Sequence, residues 1–113
     1  MPFDPHELML RAEQAQQFLR QLSNRYRLMV LCQLAEGECS VGDLNAHIPL
    51  SQSALSQHLA KLRQAGVVDT RRQSQTIYYR LSDPQLLLLL SSLCELSSHL
   101  VERSAPEDTR VQD

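Results

Sequence analysis

Residues 50–59 read LSQSALSQHL, and this segment decides the fold class of the chain. The serine at position 51 can cap a helix, and Leu55 and Leu59 then lie four residues apart on one helical face. Gly66 ends the predicted helix. The segment therefore predicts an amphipathic helix that buries leucine on one side and presents small, hydrogen-bonding side chains on the other.

A short helix precedes this one at the distance typical of a helix-turn-helix. Ser40 and Asp43 form a capping box that starts a helix over residues 41–47. Pro49 ends it, because the residue before a proline avoids the α region. About three residues, 49–51, then separate the two helices, which is the length of a helix-turn-helix connection.

Helical signals also flank this pair. Small and apolar residues recur at three- and four-residue steps from about position 6 to 22 and predict a first helix. Ser23 is the predicted cap of a second helix, which Gly37 ends. An Asp-Pro pair opens a last helix that runs over about residues 83–102.

After Gly66 the apolar period changes from 3.6 to 2. Val67 and Val68 begin one short strand, and residues 76–79 (TIYY) form a second one. The polar residues 71–75 form the predicted tip of this hairpin. The chain is therefore predicted to be mainly α with a small β-hairpin wing: a winged helix-turn-helix with four helices, a hairpin and a fifth helix.

Length and composition set the remaining bounds. The 113 residues make one domain, which we place at 1–103, with a polar tail at 104–113 that is predicted to be disordered. Three cysteines without a framework spacing favour a reducing cytoplasm. The longest apolar run, 86–90, is far shorter than a membrane span, and the first residues lack a signal peptide. We expect a cytoplasmic protein without membrane association.

The charge distribution points to double-stranded DNA. The net charge is −2, but residues 51–80 carry +4 and the remainder −6, so the positive field is concentrated on the predicted helix and wing. Glutamine can pair with adenine, serine with several base edges, and lysine or arginine with phosphates. The candidate DNA-binding residues are Ser51, Gln52, Ser53, Ser56, Gln57, His58, Lys61, Arg63, Arg71, Arg72 and Gln75.

Five segments of the chain resemble the ArsR/SmtB repressors, over about residues 8–100. They are 22–28 (LSNRYRL), 40–44 (SVGDL), 50–59, 62–68 (LRQAGVV) and 78–81 (YYRL). The resemblance implies a winged helix-turn-helix homodimer, joined through its first and last helices, which an inducer releases from an operator. An apolar stripe on the last helix independently favours a dimer; it comprises Leu86, Leu89, Leu90, Leu93, Leu96 and Leu100.

Neither metal site known in this family is complete here. The site at the start of the third helix needs a Cys-x-Cys pair, but this chain has Cys39 alone before Ser40. Of the second site only Asp83 and His99 are able to coordinate, since Gln85 and Leu96 occupy the other positions. We therefore assign no metal ligand and no cofactor, and metal or metalloid sensing stays an alternative.

Residues 28–34 (LMVLCQL) resemble the sulfide- and redox-responsive branch of the family typified by the BigR and HlyU proteins. That branch links a cysteine of the second helix to one of the last helix, and Cys32 occupies the first position. The second position is Ser98, whereas Cys94 lies one turn, about 5.4 Å, earlier. The resemblance implies a thiol sensor at Cys32 for reactive sulfur or an oxidant, and Cys94 is the candidate partner if a polysulfide chain or an adjusted helix register bridges this turn. The alternative is that both are small buried apolar residues.

Other functions have weaker support in the sequence. Ser56 and His58 lie two residues apart on one helix and do not face each other, and the chain has no glycine-rich phosphate loop, so no enzyme is expected. Two other functions stay possible from the sequence: a winged helix that binds a protein partner, and a regulator without any inducer.

Overall fold

The computed structural model describes residues 4–104 of the chain. In chain order the elements are α1 (Pro5–Leu22), α2 (Arg25–Ala35), β1 (Cys39–Ser40), α3 (Val41–His47), α4 (Gln52–Gln64), β2 (Val68–Gln73), β3 (Thr76–Leu81) and α5 (Pro84–Ser104). This order confirms the predicted fold class. The predicted tail lies outside the described residues, except for Ser104, which is the last residue of α5.

Side-chain caps start the helices, and one of them differs from the prediction. Ser40 and Asp43 form the predicted capping box: each side chain accepts a hydrogen bond from the other's backbone N–H, at 3.1 and 3.2 Å. The prediction that Ser23 caps α2 is wrong. Asn24 caps it, because its backbone is extended and its side-chain oxygen accepts from two N–H groups of the first turn.

The sheet has one strand more than predicted. Its order is β1-β3-β2, with both pairs antiparallel. β1 is only two residues long, so its sequence cannot show an alternating pattern. The β2–β3 hairpin, residues 68–81, is the wing. Its predicted tip was too long: β2 continues to Gln73, and only Ser74 and Gln75 turn the chain, with Ser74 at a φ of 60°.

The core lies between α2, α3, α4 and the base of the wing. α4 contributes Leu55, Leu59 and Leu62, which are fully buried. The other buried apolar side chains are Leu22, Val30, Leu31, Leu34, Leu44, Ile48, Val67, Val68 and Leu90. The leucines therefore fix the rotation of α4 about its axis, and its polar residues face outward.

Within residues 4–104, most of the apolar surface of α5 is not covered by other elements. Among its described side chains Leu90 is buried, and Leu86 and Leu89 pack against the core. Five large apolar residues of the helix are exposed: Leu87, Leu88, Leu96, Leu100 and Val101. By length and composition alone, residues 84–102 are also apolar enough to cross a membrane, a weak test that a core helix of a soluble protein passes as well.

Leu59→Ala removes a fully buried side chain of α4. We expect the free energy of unfolding to fall by about 2–5 kcal/mol, from lost burial and the cavity left behind. Urea unfolding at one protein concentration, followed by circular dichroism, measures the change. Gln57→Ala, at an exposed position of the same helix, is the control and should shift the value by less than about 0.5 kcal/mol. Equal losses in both variants would contradict the assigned orientation of α4.

Candidate nucleic-acid interface

The outward face of α4 carries most of the predicted DNA-binding residues. The exposed ones on this helix and its cap are Ser51, Gln52, Ser53, Ser56, Gln57, Lys61 and Arg63. The Ser51 hydroxyl accepts from the Ala54 N–H at 3.2 Å and so caps the helix as predicted. An open groove lined by Ser56, Arg63 and Tyr79 joins this face to the wing. The helix and the wing thus form one continuous polar surface.

The turn between α3 and α4 is held by a residue that the sequence analysis did not identify. The Asn45 side-chain amide donates to the carbonyl oxygen of Leu50 at 2.8 Å, while the Leu50 N–H donates to the Ile48 carbonyl at 2.8 Å. These bonds satisfy backbone groups that the proline-containing turn leaves without helical partners. An asparagine two residues before the end of a helix gives a weak sequence signal, because the conformation of the following turn decides which group its side chain binds.

His58 differs from the other polar residues of α4, because it is half-buried against α2. Its Nδ1 lies 3.4 Å from Nη1 of Arg27, and its ring is 6.0 Å from that of Tyr26. Arginine only donates, so Nδ1 accepts and Nε2 carries the proton of the neutral ring. Partial burial, followed by the charges of Arg27 and Lys61, lowers the pKa of His58. The histidine is therefore held neutral, with its remaining N–H available to donate.

The two adjacent wing arginines have different surroundings. Arg71 binds Glu38, with Nη2 2.7 Å from Oε1, and its guanidinium lies 4.6 Å from the Tyr78 ring centroid. Arg72 is exposed, and within residues 4–104 its side chain makes neither a hydrogen bond nor an ion pair. Gln75 is exposed at the tip. Arg72 and Gln75 are thus the predicted wing contacts that lack competing bonds in this part of the chain.

The structure places the two candidate sensor cysteines together. Cys32 of α2 and Cys94 of α5 line one groove, together with Ser98, Glu36 and Glu95. Cys32 retains solvent access, but partial burial raises its pKa, and the nearby Cys94 side chain raises it further. A thiol that is protonated at neutral pH is a weak nucleophile.

Cys39 lies apart from this groove, in β1. Its thiol donates to the Gly37 carbonyl oxygen at 3.5 Å. Partial burial raises the pKa of Cys39, and nearby carboxylates, Asp43 first, raise it further.

The residues considered for a metal site are not clustered in the described structure. Asp83 accepts from the Gln85 N–H at 2.8 Å and serves as the cap of α5. Within residues 4–104 there is no group of three or more His, Cys, Asp or Glu side chains placed to hold a metal ion.

Because the folded state binds a proton at His58 less readily than the unfolded state, stability depends on pH below about 6.5. The free energy of unfolding is expected to fall as the pH drops from about 6.5 to the lowered folded-state value, and to level off below it. Urea unfolding across this range measures the slope. His58→Gln should flatten it, and Gln57→Asn, on the exposed face of α4, should not. Identical slopes in the wild type and His58→Gln would count against the assignment.

Comparisons with known proteins agree with this geometry. The model for bacterial regulatory proteins of the arsR family matches residues 24–70. The transcriptional activator HlyU of Vibrio cholerae is 41% identical over 95 residues, which are 84% of this chain and 88% of that protein. The biofilm growth-associated repressor of Agrobacterium fabrum is 45% identical over 83 residues, which are 74% of this chain and 71% of that protein.

A solved structure extends the likeness to three dimensions. Reduced HlyU from Vibrio cholerae matches with a TM-score of 0.74 and 42% identity, covering 80% of this chain and 95% of that chain. The predicted resemblance is thereby confirmed, as is the expectation that the chain is not an enzyme. The chain belongs to the ArsR family of winged helix-turn-helix transcriptional regulators.

Proposed function

We propose that this chain is a dimeric cytoplasmic repressor that binds double-stranded operator DNA and is released when Cys32 and Cys94 are modified. The observation that carries the DNA-binding part is the exposed polar face of α4, directly opposite its buried leucines. A helix of 13 residues with such a face fits the major groove, which admits one α-helix.

The contacts divide into two classes by chemistry. The residues in the first turns of α4 face base edges, since the N-terminal part of a recognition helix enters the groove. Gln52 and Gln57 are the glutamines there and can pair with adenine, while the serines fill shorter gaps. Lys61, Arg63 and Arg72 contact phosphates, which fix the register without reading sequence. We assign to His58 a hydrogen bond donated to the DNA through Nε2, while Arg27 donates to its Nδ1.

The apolar surface of the terminal helices supports a homodimer. Leu88 of α5 is 69% exposed and Met9 of α1 63% exposed, and seven further large apolar residues are at least 43% exposed. The Cα radius of gyration is 17.2 Å, compared with about 13 Å for a compact domain of this length. A second copy packed on α1 and α5 covers this surface and places two α4 helices about one turn of DNA apart.

The groove between α2 and α5 supports a thiol response. Cys32 and Cys94 line the same groove, so a covalent link between them would join α2 to α5. A low-molecular-weight persulfide RSSH supplies the oxidant: with two thiols it yields the Cys32–Cys94 disulfide, RSH and H₂S. With a second persulfide the products are a Cys32–Cys94 trisulfide, two RSH and one H₂S. Either bond changes the spacing of α2 and α5, and thereby the dimer.

Operator reading by α4 is tested with fluorescence anisotropy on the DNA upstream of the gene. Gln52→Ala removes one bidentate base contact and is expected to weaken specific binding by about 1–3 kcal/mol, roughly 5- to 150-fold. Its affinity for unrelated DNA should not change. Gln64→Ala, at the far end of α4, is the matched control and should bind like the wild type. Equal losses on specific and unrelated DNA would contradict base reading by Gln52.

Persulfide treatment of the purified dimer tests the thiol response. We expect a Cys32–Cys94 linkage by mass spectrometry, together with loss of operator binding that dithiothreitol reverses. Cys32→Ser should abolish both effects, whereas Cys39→Ser, the matched control, should keep them. Release that persists in Cys32→Ser would overturn the sensor assignment. If no treatment changes binding, the cysteines are structural while the DNA-binding proposal stands.

A further inference from the structure

An ion pair on the wing joins two segments that are far apart in the sequence. Arg71 of β2 donates through Nε to both oxygens of Glu38, at 2.9 and 3.0 Å, and its Nη2 lies 2.7 Å from Oε1. Nη1 donates to Gln73 Oε1 at 2.9 Å, and one face of the guanidinium covers the Tyr78 ring. Each nitrogen of the Arg71 guanidinium therefore already has a partner within the protein. This distinguishes Arg71 from an arginine that is free to bind a DNA phosphate.

The register of the sheet shows what this pair connects. Ser40 of β1 is opposite Tyr78 of β3, which in turn is opposite Arg71 of β2. Glu38 directly precedes β1 at the other edge of the sheet. The pair therefore crosses β3 and ties the outer strand of the wing to the segment between α2 and α3.

Alternation along the strands places the two arginines on opposite faces. Arg71 shares a face with its cross-strand partner Tyr78, whereas Arg72 shares the other face with Tyr79, whose ring packs against the core and lines the groove beside α4. Arg72 therefore projects from the face of the wing that adjoins the recognition helix. Arg71 lies on the reverse face.

We propose that Arg71 is a positioning residue: its ion pair with Glu38 sets the angle of the wing relative to α4, so that Arg72 meets the DNA backbone. This inference rests on the DNA-binding function proposed above and assigns different roles to two adjacent arginines. The electrostatics agree with it. The hydrogen bond from Arg71 lowers the pKa of Glu38, and the charges of Arg71 and then Arg80 lower it further.

A constraint of this kind matters because a two-stranded hairpin is marginal by itself. The core holds the inner part of the wing, where Val68 is buried opposite the half-buried Leu81 and Tyr79 also packs against the core. From Arg71 onward the residues of β2 are exposed. Arg71 lies three residues past the buried base, so a bond there restrains the hairpin where packing no longer does.

The test is the salt dependence of anisotropy binding for Arg71→Ala, Arg72→Ala and Glu38→Gln. Arg72→Ala is expected to reduce the slope of log K against log salt by about 1, as for one lost phosphate contact. Arg71→Ala and Glu38→Gln should each weaken binding roughly two- to fivefold at every salt concentration, the range of an exposed ion pair, with the slope unchanged. Arg20→Ala, which replaces an exposed arginine of α1, is the control and should change neither the affinity nor the slope.

Combined variants and hydrogen exchange complete the test. The double variant Glu38→Gln with Arg71→Ala should bind no more weakly than either single one, and the charge-reversed pair Glu38→Arg with Arg71→Glu should recover affinity. In free protein, amides of residues 68–81 should exchange faster in Glu38→Gln than in the wild type. A smaller salt slope for Arg71→Ala, or tighter binding by Glu38→Gln, would overturn the proposal. Unchanged hydrogen exchange in Glu38→Gln would overturn the positioning role of Arg71, whether or not the protein binds DNA. Absence of DNA binding by the wild type would instead refute the proposed function.

Discussion

Burial of Leu55, Leu59 and Leu62 on one side of α4 is the constraint on which the rest of the structure depends. Each leucine contributes about 1.5–3 kcal/mol by leaving water, which is large compared with any single surface contact in the chain. The helix cannot rotate about its axis without exposing them. Its serines and glutamines consequently face solvent, and the functional face is a result of core packing.

Most of this fold could be predicted from the sequence, because short-range interactions between neighbouring residues determine it. The helix ends follow from caps and breakers within four residues, such as the reciprocal Ser40 and Asp43 bonds. What escaped prediction depends on residues distant in the sequence. β1 exists because Cys39 and Ser40 pair with β3, nearly forty residues away. The length of the wing depends on Ser74, which turns the chain in a left-handed conformation that the sequence does not signal.

The candidate interface was harder to predict from the sequence than the fold, because the type of a residue does not reveal which side chain it binds within the protein. Sequence reasoning grouped all polar residues of α4 and the wing together. Most are exposed as that prediction requires, but His58 is held by Arg27 and Arg71 by Glu38. Neither partner was singled out, since the pairs are separated by 31 and 33 positions. The polar residues with long-range partners inside the protein are the ones whose role needed a structure.

α2 is the element that the two proposed activities share. Arg27 in its first turn contacts His58 of α4, and five residues later Cys32 lies in the groove against α5. α2 is one uninterrupted helix of 11 residues, so its two ends are mechanically connected. Under the proposed thiol switch, a bond that draws Cys32 toward Cys94 therefore also shifts α2 against α4 and against the partner-facing α5. Operator affinity can then respond to chemistry at a site that never touches DNA, because one packed helix connects both.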